Sequence, residues 1–139
     1  KQKERKNNKS NMKTILIIDD NKDLLKIYST RLKAEGFNIV TASSAEEGLG
    51  QIEKSKPDLI LLDIIMSGMK GTELFSKLKE NPETKDIKVV FMTAYASTVT
   101  PWGEIATENY AKKLGAQGYL RKEMPLESFI KTIKQTITL

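Results

Sequence analysis

The sequence predicts an α/β fold: five β-α repeats, (βα)5, that build a doubly wound five-stranded parallel sheet. Three observations lead there. Thr14-Ile15-Leu16-Ile17-Ile18, Leu59-Ile60-Leu61-Leu62 and Ile87-Lys88-Val89-Val90-Phe91-Met92 are short, almost wholly apolar runs without alternation, the pattern of strands buried on both faces. Segments with helical spacing of apolar residues separate them, and strands that alternate with helices imply parallel pairing with right-handed crossovers. Finally, 139 residues with 39% hydrophobic content suffice for one domain with a real core.

The elements follow in order. Thr14–Ile18 is the first strand and ends on Asp19-Asp20. Asn21 is the N-cap of a helix through Glu35, with Leu24, Leu25, Tyr28 and Leu32 on one face and Gly36 as its stop. Phe37 to Thr41 is the second strand, and Ser43-Ser44-Ala45-Glu46-Glu47 is a capping-box start for a helix to about Ser55. Pro57 precedes the central strand, which stops on Asp63, with Gly68 and Gly71 beyond it. Thr72 to about Glu80 is helical and is closed by Asn81-Pro82. The fourth strand ends at Thr93-Ala94, residues 95–102 read as a loop, and 103–114 form a weaker helix stopped by Gly115. Gly118-Tyr119-Leu120 is the last strand, followed by Arg121-Lys122. Pro125 then opens a final helix with Phe129, Ile130, Ile133 and Ile137 on its inner face.

Composition narrows the function. Without cysteine there is no disulfide framework or thiolate metal site, and without histidine the commonest general base and metal ligand is missing. No apolar run approaches a membrane span and no signal-peptide pattern opens the chain, so a soluble, cytoplasmic protein with no membrane insertion is the simplest reading. The net charge of +5 sits in residues 1–13, where six basic side chains face only Glu4; residues 14–139 hold 17 of each sign. Residues 1–12 therefore read as a basic, disordered leader or tag and 13–139 as the domain, with no direct nucleic acid binding expected of the domain itself. The sequence opens on Lys1 and not on Met, which reads as a fragment or as a natural start at Met12.

Parallel strands deliver their last side chains to the carboxyl edge of the sheet, where open α/β folds keep their ligand sites. Asp19, Asp20, Asp63, Thr93 and Lys122 all fall at the ends of strands one, three, four and five. Each has a plain reading alone: a turn and helix cap for the acidic pair, a strand-end turn for Asp63, a strand-end hydroxyl and a solvated lysine for the others. Together they suggest chemistry. Three neighbouring carboxylates repel by about 4 kcal/mol per pair at roughly 4 Å and an effective dielectric near 20, so a cation is called for. Oxygen-only donors favour a hard ion, and Mg2+ takes one or two carboxylates, waters and phosphate oxygens. Lys122 offers a point charge and Thr93 a hydroxyl for a phosphate. A carboxylate beyond those the metal needs is free to act as a nucleophile, and Asp63 on the central strand is the natural choice.

Ile15-Leu16-Ile17-Ile18-Asp19-Asp20-Asn21, Pro57-Asp58-Leu59-Ile60-Leu61-Leu62-Asp63-Ile64-Ile65-Met66, Gly71, Thr93-Ala94 and Gly115-Ala116-Gln117-Gly118-Tyr119-Leu120-Arg121-Lys122 carry a resemblance. Over residues 13–137 the chain resembles the response regulator receiver domain of two-component signal transduction. The resemblance implies a flavodoxin-like strand order, 2-1-3-4-5. It implies that Asp63 accepts a phosphoryl group from a histidine kinase or phosphotransfer protein, as a phosphoacceptor that takes part in its own phosphotransfer and autodephosphorylation and not as a turnover enzyme. Asp19, Asp20, Asp63 and the Ile65 backbone carbonyl would hold Mg2+; Thr93, Lys122 and the Ala94 backbone would contact the phosphoryl oxygens. Thr93 and Tyr119 would be the switch pair, remodelling the surface of the fourth helix, fifth strand and last helix to regulate a downstream protein or a fused output domain. The resemblance also allows a homodimer through that surface. Ile65 and Tyr95 stand where the family tunes access of hydrolytic water; both are bulky and neither activates a water, so slow self-dephosphorylation is expected.

Four positions depart from the family. Glu123 replaces the usual Pro after the lysine; a cis bond there would cost roughly 2.5–4 kcal/mol, so a trans bond is expected. Met66-Ser67 replaces Met-Pro, and Lys70 stands where an Asp usually precedes the glycine. The segment from Thr93 to Gly115 is longer than typical, around Val99-Thr100-Pro101-Trp102-Gly103, and is expected to form a partner contact or partial lid. The competing reading is a pseudo-receiver, an interaction module of this fold that is not phosphorylated, and Glu123 is its best support. An aspartyl phosphatase or mutase would need a second Asp where Ile65 stands, and a flavodoxin would need a glycine- and hydroxyl-rich loop where Asp19-Asp20-Asn21 stands.

Overall fold

A computed structural model of the chain describes residues 12–66, 70–94 and 108–138. Its elements are β1 (Thr14–Ile18), α1 (Lys22–Ala34), β2 (Asn38–Ala42), α2 (Ala45–Lys54), β3 (Leu59–Asp63), α3 (Gly71–Glu80), β4 (Lys88–Thr93), α4 (Glu108–Leu114), β5 (Gly118–Arg121) and α5 (Leu126–Ile137). The strands form one sheet in the order β2-β1-β3-β4-β5, with every pairing parallel. This is the expected 2-1-3-4-5 order.

The apolar runs behave as their composition requires. All five residues of β3 are buried, as are the last four of β1 and the last five of β4. Alternate side chains feed two separate cores. Leu16, Ile18, Ile60, Leu62 and Phe91 pack with Ala45 and Ile52 of α2, Leu74, Phe75 and Leu78 of α3, and Ala111 of α4. Ile15, Ile17, Leu59, Leu61 and Met92 pack on the other face with Leu25, Tyr28 and Leu32 of α1 and Phe129, Ile130 and Ile133 of α5. Helices on both faces explain why the central strands show no polar alternation.

Local signals set the helix ends. Asn21 accepts a hydrogen bond from the Leu24 amide and caps α1, while Gly36, at φ 97°, adopts the left-handed conformation just beyond its end. Ser44 accepts from the Glu47 amide, as a capping box requires. The reciprocal arm differs: the Glu47 carboxylate takes the amide and hydroxyl of Ser43, one residue before the cap. α3 starts one residue earlier than its pattern suggests, at Gly71, which has its amide on the Ile64 carbonyl at 3.2 Å. A Cβ there would collide with the Asp63 carbonyl oxygen, so the helix start passes directly under the end of β3. Residues 1–11, Ser67, and the expected loop and insertion at 95–103 lie outside the described residues.

Two substitutions separate these roles. Gly71→Ala should lower the unfolding free energy in urea by about 1–3 kcal/mol, the usual cost of overpacking, because backbone cannot yield as a side chain does. Gly50→Ala, in α2 with open space around its Cβ position, should raise it by about 0.5–1 kcal/mol through helix propensity. Equal effects of the two would contradict the close approach at Gly71.

Candidate functional site at the carboxyl edge of the sheet

Strand register brings the polar strand ends together. Ile18 lies opposite Leu62, Asp63 opposite Met92, and Thr93 opposite Arg121, so the residues that follow β1, β3, β4 and β5 share one edge. Asp19 is fully buried, with its amide on the Ala42 carbonyl and its Oδ1 accepting from the Asn21 amide at 2.9 Å. Asp63 is 4% exposed, and its Oδ1 accepts from the Ile65 amide at 3.1 Å. Each carboxylate thus spends one oxygen on the backbone two residues ahead. The remaining oxygens face one ammonium: Lys122 Nζ donates to Asp63 Oδ2 at 2.8 Å and forms an ion pair with Asp19 Oδ2 at 2.7 Å. The Lys122 backbone amide donates to the Thr93 carbonyl at 2.9 Å, which ties the exit of β5 to β4.

Burial dominates the electrostatics. Loss of solvent raises the Asp63 carboxyl from its ordinary 3.8 to about 7; Lys122 and the Ile65 amide oppose the rise, and the Asp19 charge adds to it. Burial pushes Lys122 down, but the attraction of Asp63 and Asp19 outweighs it and the ammonium titrates above its ordinary value. Asp19 and Asp63 are therefore buried with one cation between them.

The donor set fits a hard divalent ion. One carboxylate oxygen from each of Asp19, Asp20 and Asp63 falls within 4.8 Å of the others, and Asp20, exposed, opens the group toward solvent. Asp19 Oδ2 is buried and held by the Lys122 ammonium at 2.7 Å, and a carboxylate oxygen so held keeps a lone pair for a metal. All five donors read from the sequence lie at this edge. Thr93 is fully buried at the end of β4, with its hydroxyl 3.4 Å from the Ala94 carbonyl. Ala94 and Ile65 are half-buried, as is Tyr119 on β5, where burial raises its phenol. Tyr95 lies outside the described residues. No described peptide bond is cis, so Glu123 follows Lys122 through the expected trans bond. It is exposed.

Two features escaped the sequence reading. Lys122 rests on carboxylates, not in wait for a phosphate, and the sequence offers no signal for that beyond placing three acids beside it. Tyr28 reads as a core aromatic by helical spacing, yet its hydroxyl is buried without a protein partner.

The response regulator receiver domain family matches residues 15–134, a span that contains Asp19, Asp20, Asp63, Thr93 and Lys122. The polar-differentiation response regulator DivK of Brucella ovis is 30% identical over 122 residues, covering 88% of this chain and 94% of its own. Among solved structures, the N-terminal domain of a response regulator receiver protein from Methanoculleus marisnigri JR1 is 32% identical with a TM-score of 0.67, covering 88% of this chain and 94% of its own. A CheY-like response regulator receiver domain protein from Methanospirillum hungatei JF-1 is 28% identical with a TM-score of 0.76, covering 91% of this chain and 94% of its own.

The raised Asp63 has a measurable consequence. Between its ordinary 3.8 and about 7 the folded chain holds a proton that the unfolded chain has lost, so stability falls as pH rises through this window. The contribution of Lys122 has the same sign at higher pH: it is fully present below its ordinary 10.5 and is lost as pH rises above it. In Mg2+-free buffer, the unfolding free energy of the wild type should therefore decline relative to Asp63→Asn from about pH 4 to about pH 7. Parallel curves from urea titrations at each pH would reject the buried, proton-retaining Asp63.

Proposed function

The chain belongs to the response regulator receiver domain family, and from that premise we propose that it is a phosphorelay receiver with Asp63 as its phosphoacceptor. The observation that carries this is the position of Asp63: last residue of the central strand, buried, and held between the Ile65 amide and Lys122. The phosphoryl group would come from a histidine kinase or phosphotransfer protein. Asp19, Asp20, Asp63 and the Ile65 carbonyl would hold Mg2+, which supplies charge neutralisation for the nucleophile and the phosphoryl oxygens.

The chain's own groups divide the remaining work. Ionised Asp63 attacks phosphorus, forming an acyl phosphate while the donor's bond to phosphorus breaks. The Ile65 amide fixes the carboxylate orientation, and Lys122 turns from carboxylate to phosphoryl oxygen as negative charge arrives. The buried Thr93 hydroxyl gives up its long contact with Ala94 to donate to the phosphoryl group, with the Ala94 backbone as a further contact. Lys122 and Thr93 are joined through the backbone, and Tyr119 lies on β5 opposite Phe91, so a change at the site reaches the face formed by α4, β5 and α5. That face is where a downstream protein or fused output domain would read the signal, and where a homodimer is compatible. The protein is not a turnover enzyme in this reading, and it acts in the cytoplasm. Among the described residues no helix is long and apolar enough to cross a membrane.

Glu123, the feature that favours a non-phosphorylated pseudo-receiver, is exposed, and Lys122 still reaches both acids. That supports the phosphoacceptor.

Intact mass after incubation with acetyl phosphate tests the reading. One phosphoryl group should appear with Mg2+, none without it, and none on Asp63→Asn. No adduct under conditions that label a control receiver would favour the pseudo-receiver. Ile65 stands two residues past the acceptor and cannot activate a water, so the adduct should decay slowly and Ile65→Asn should hasten its loss. Rapid decay that Ile65→Asn leaves unchanged would remove Ile65 as a barrier to water.

A further inference from the structure

We propose that Tyr28 is a positioning residue for Lys122: its buried hydroxyl accepts an N–H from the ammonium when Asp19 and Asp63 turn to a divalent cation. The inference rests on the receiver reading for its setting, and on Tyr28 for its evidence.

The ring of Tyr28 needs no hydroxyl. It stacks on Phe129 with centroids 4.5 Å apart and planes 2° from parallel, a contact that phenylalanine would make equally well. Yet the hydroxyl is present, Tyr28 is 2% exposed, and its Oη is buried with no hydrogen-bond partner among the described residues. A buried polar group left unpaired in one state is reasonable when its partner arrives in another.

Location says which partner. Tyr28 belongs to the same apolar cluster as Leu120 and Met124, the residues two before and two after Lys122. Burial raises the Tyr28 phenol, and the Lys122 ammonium opposes that rise while Asp19, Glu123 and Asp63 add to it. Lys122 meanwhile has a problem of its own. It occupies the space between two of the three carboxylates that a metal would need, and its side chain is only 10% exposed. When Asp19 Oδ2 becomes a metal ligand, the ammonium must release it without losing hydrogen bonds in a buried setting. A neutral acceptor on α1, fixed by stacking, meets that need. The hydroxyl is idle in the metal-free state and paired in the loaded one, so it favours loading.

The test is Tyr28→Phe, which keeps the stack and removes one oxygen. Mg2+ affinity by calorimetry should weaken about three- to tenfold, the worth of one net hydrogen bond. The unfolding midpoint without Mg2+ should not fall. In a Lys122→Met background the same substitution should leave Mg2+ affinity within about twofold, because the group it positions is gone. Unchanged affinity in the single variant, or an equal loss with and without Lys122, would overturn the proposal. Should Lys122→Met not fold, affinity and midpoint of the single variant decide. A wild-type chain that binds Mg2+ but gains no phosphoryl group would count against the proposed function, and the calorimetry would still judge Tyr28.

Discussion

One ammonium between two buried carboxylates holds the working edge of this protein together. Lys122 follows β5, Asp19 follows β1 and Asp63 ends β3, so a single side chain links the ends of three strands. The arrangement is a compromise. Burying charges costs several kcal/mol each, and mutual attraction recovers this only when geometry and further hydrogen bonds are good. Both acids meet that condition by using their second oxygen on a backbone amide, Asn21 for Asp19 and Ile65 for Asp63. Those two bonds turn the loops after β1 and β3 into rigid mounts, and Gly71 lets α3 start directly beneath the second. The apolar strands, the loops and the helix start all serve to keep three charged groups within reach of one another.

The contact of Lys122 with both acids stands in the way of the proposed phosphoryl transfer. In the proposed reading Lys122 would loosen its hold on the acids before they take other partners, which would give one side chain two arrangements. Its backbone amide is tied to the Thr93 carbonyl, so a movement of the ammonium would be felt at the end of β4. A short chain of packed contacts then runs through Tyr119, opposite Phe91, to the surface. Small charge events can shift such a system because its states differ by a few discrete contacts and not by gradual deformation.

Much of this was legible in the residues. Leu59–Leu62 and Ile15–Ile18 could only be doubly covered strands, because no polar position interrupts them, and the structure buries them on both faces. Asn21 and Ser44 announced their helices through short side chains that accept backbone amides. The convergence of Asp19, Asp63, Thr93 and Lys122 followed from parallel pairing alone. What did not follow were contacts fixed by reach and register. A lysine has four rotatable bonds and many acceptors within its span, so the resting partners of Lys122 depend on packing. The bond from Glu47 to Ser43, in place of Ser44, is a matter of loop geometry. Helical spacing identified Tyr28 as a core ring and was blind to where its oxygen ends. The start of α3 at Gly71 was missed because the need for glycine there comes from a backbone distant by eight residues, not from the helix.

Charge counting shows why the site wants both a metal and a lysine. With Asp63 ionised, three carboxylates and one ammonium leave two negative charges in excess, so Lys122 alone does not satisfy the cluster that drew it in. A divalent ion would balance that excess while Lys122 remains, whereas a monovalent one would not. Conversion of Asp63 to an acyl phosphate would replace one negative charge by roughly two. The count then favours keeping Lys122 close, on the phosphoryl oxygens and away from Asp19. In the proposed reading the lysine would have a stronger reason to stay after phosphorylation than before it, and what would change is the oxygen it serves. A neutral hydroxyl such as that of Tyr28 suits the interval between, since it can accept the ammonium without competing for the charge that either end state requires.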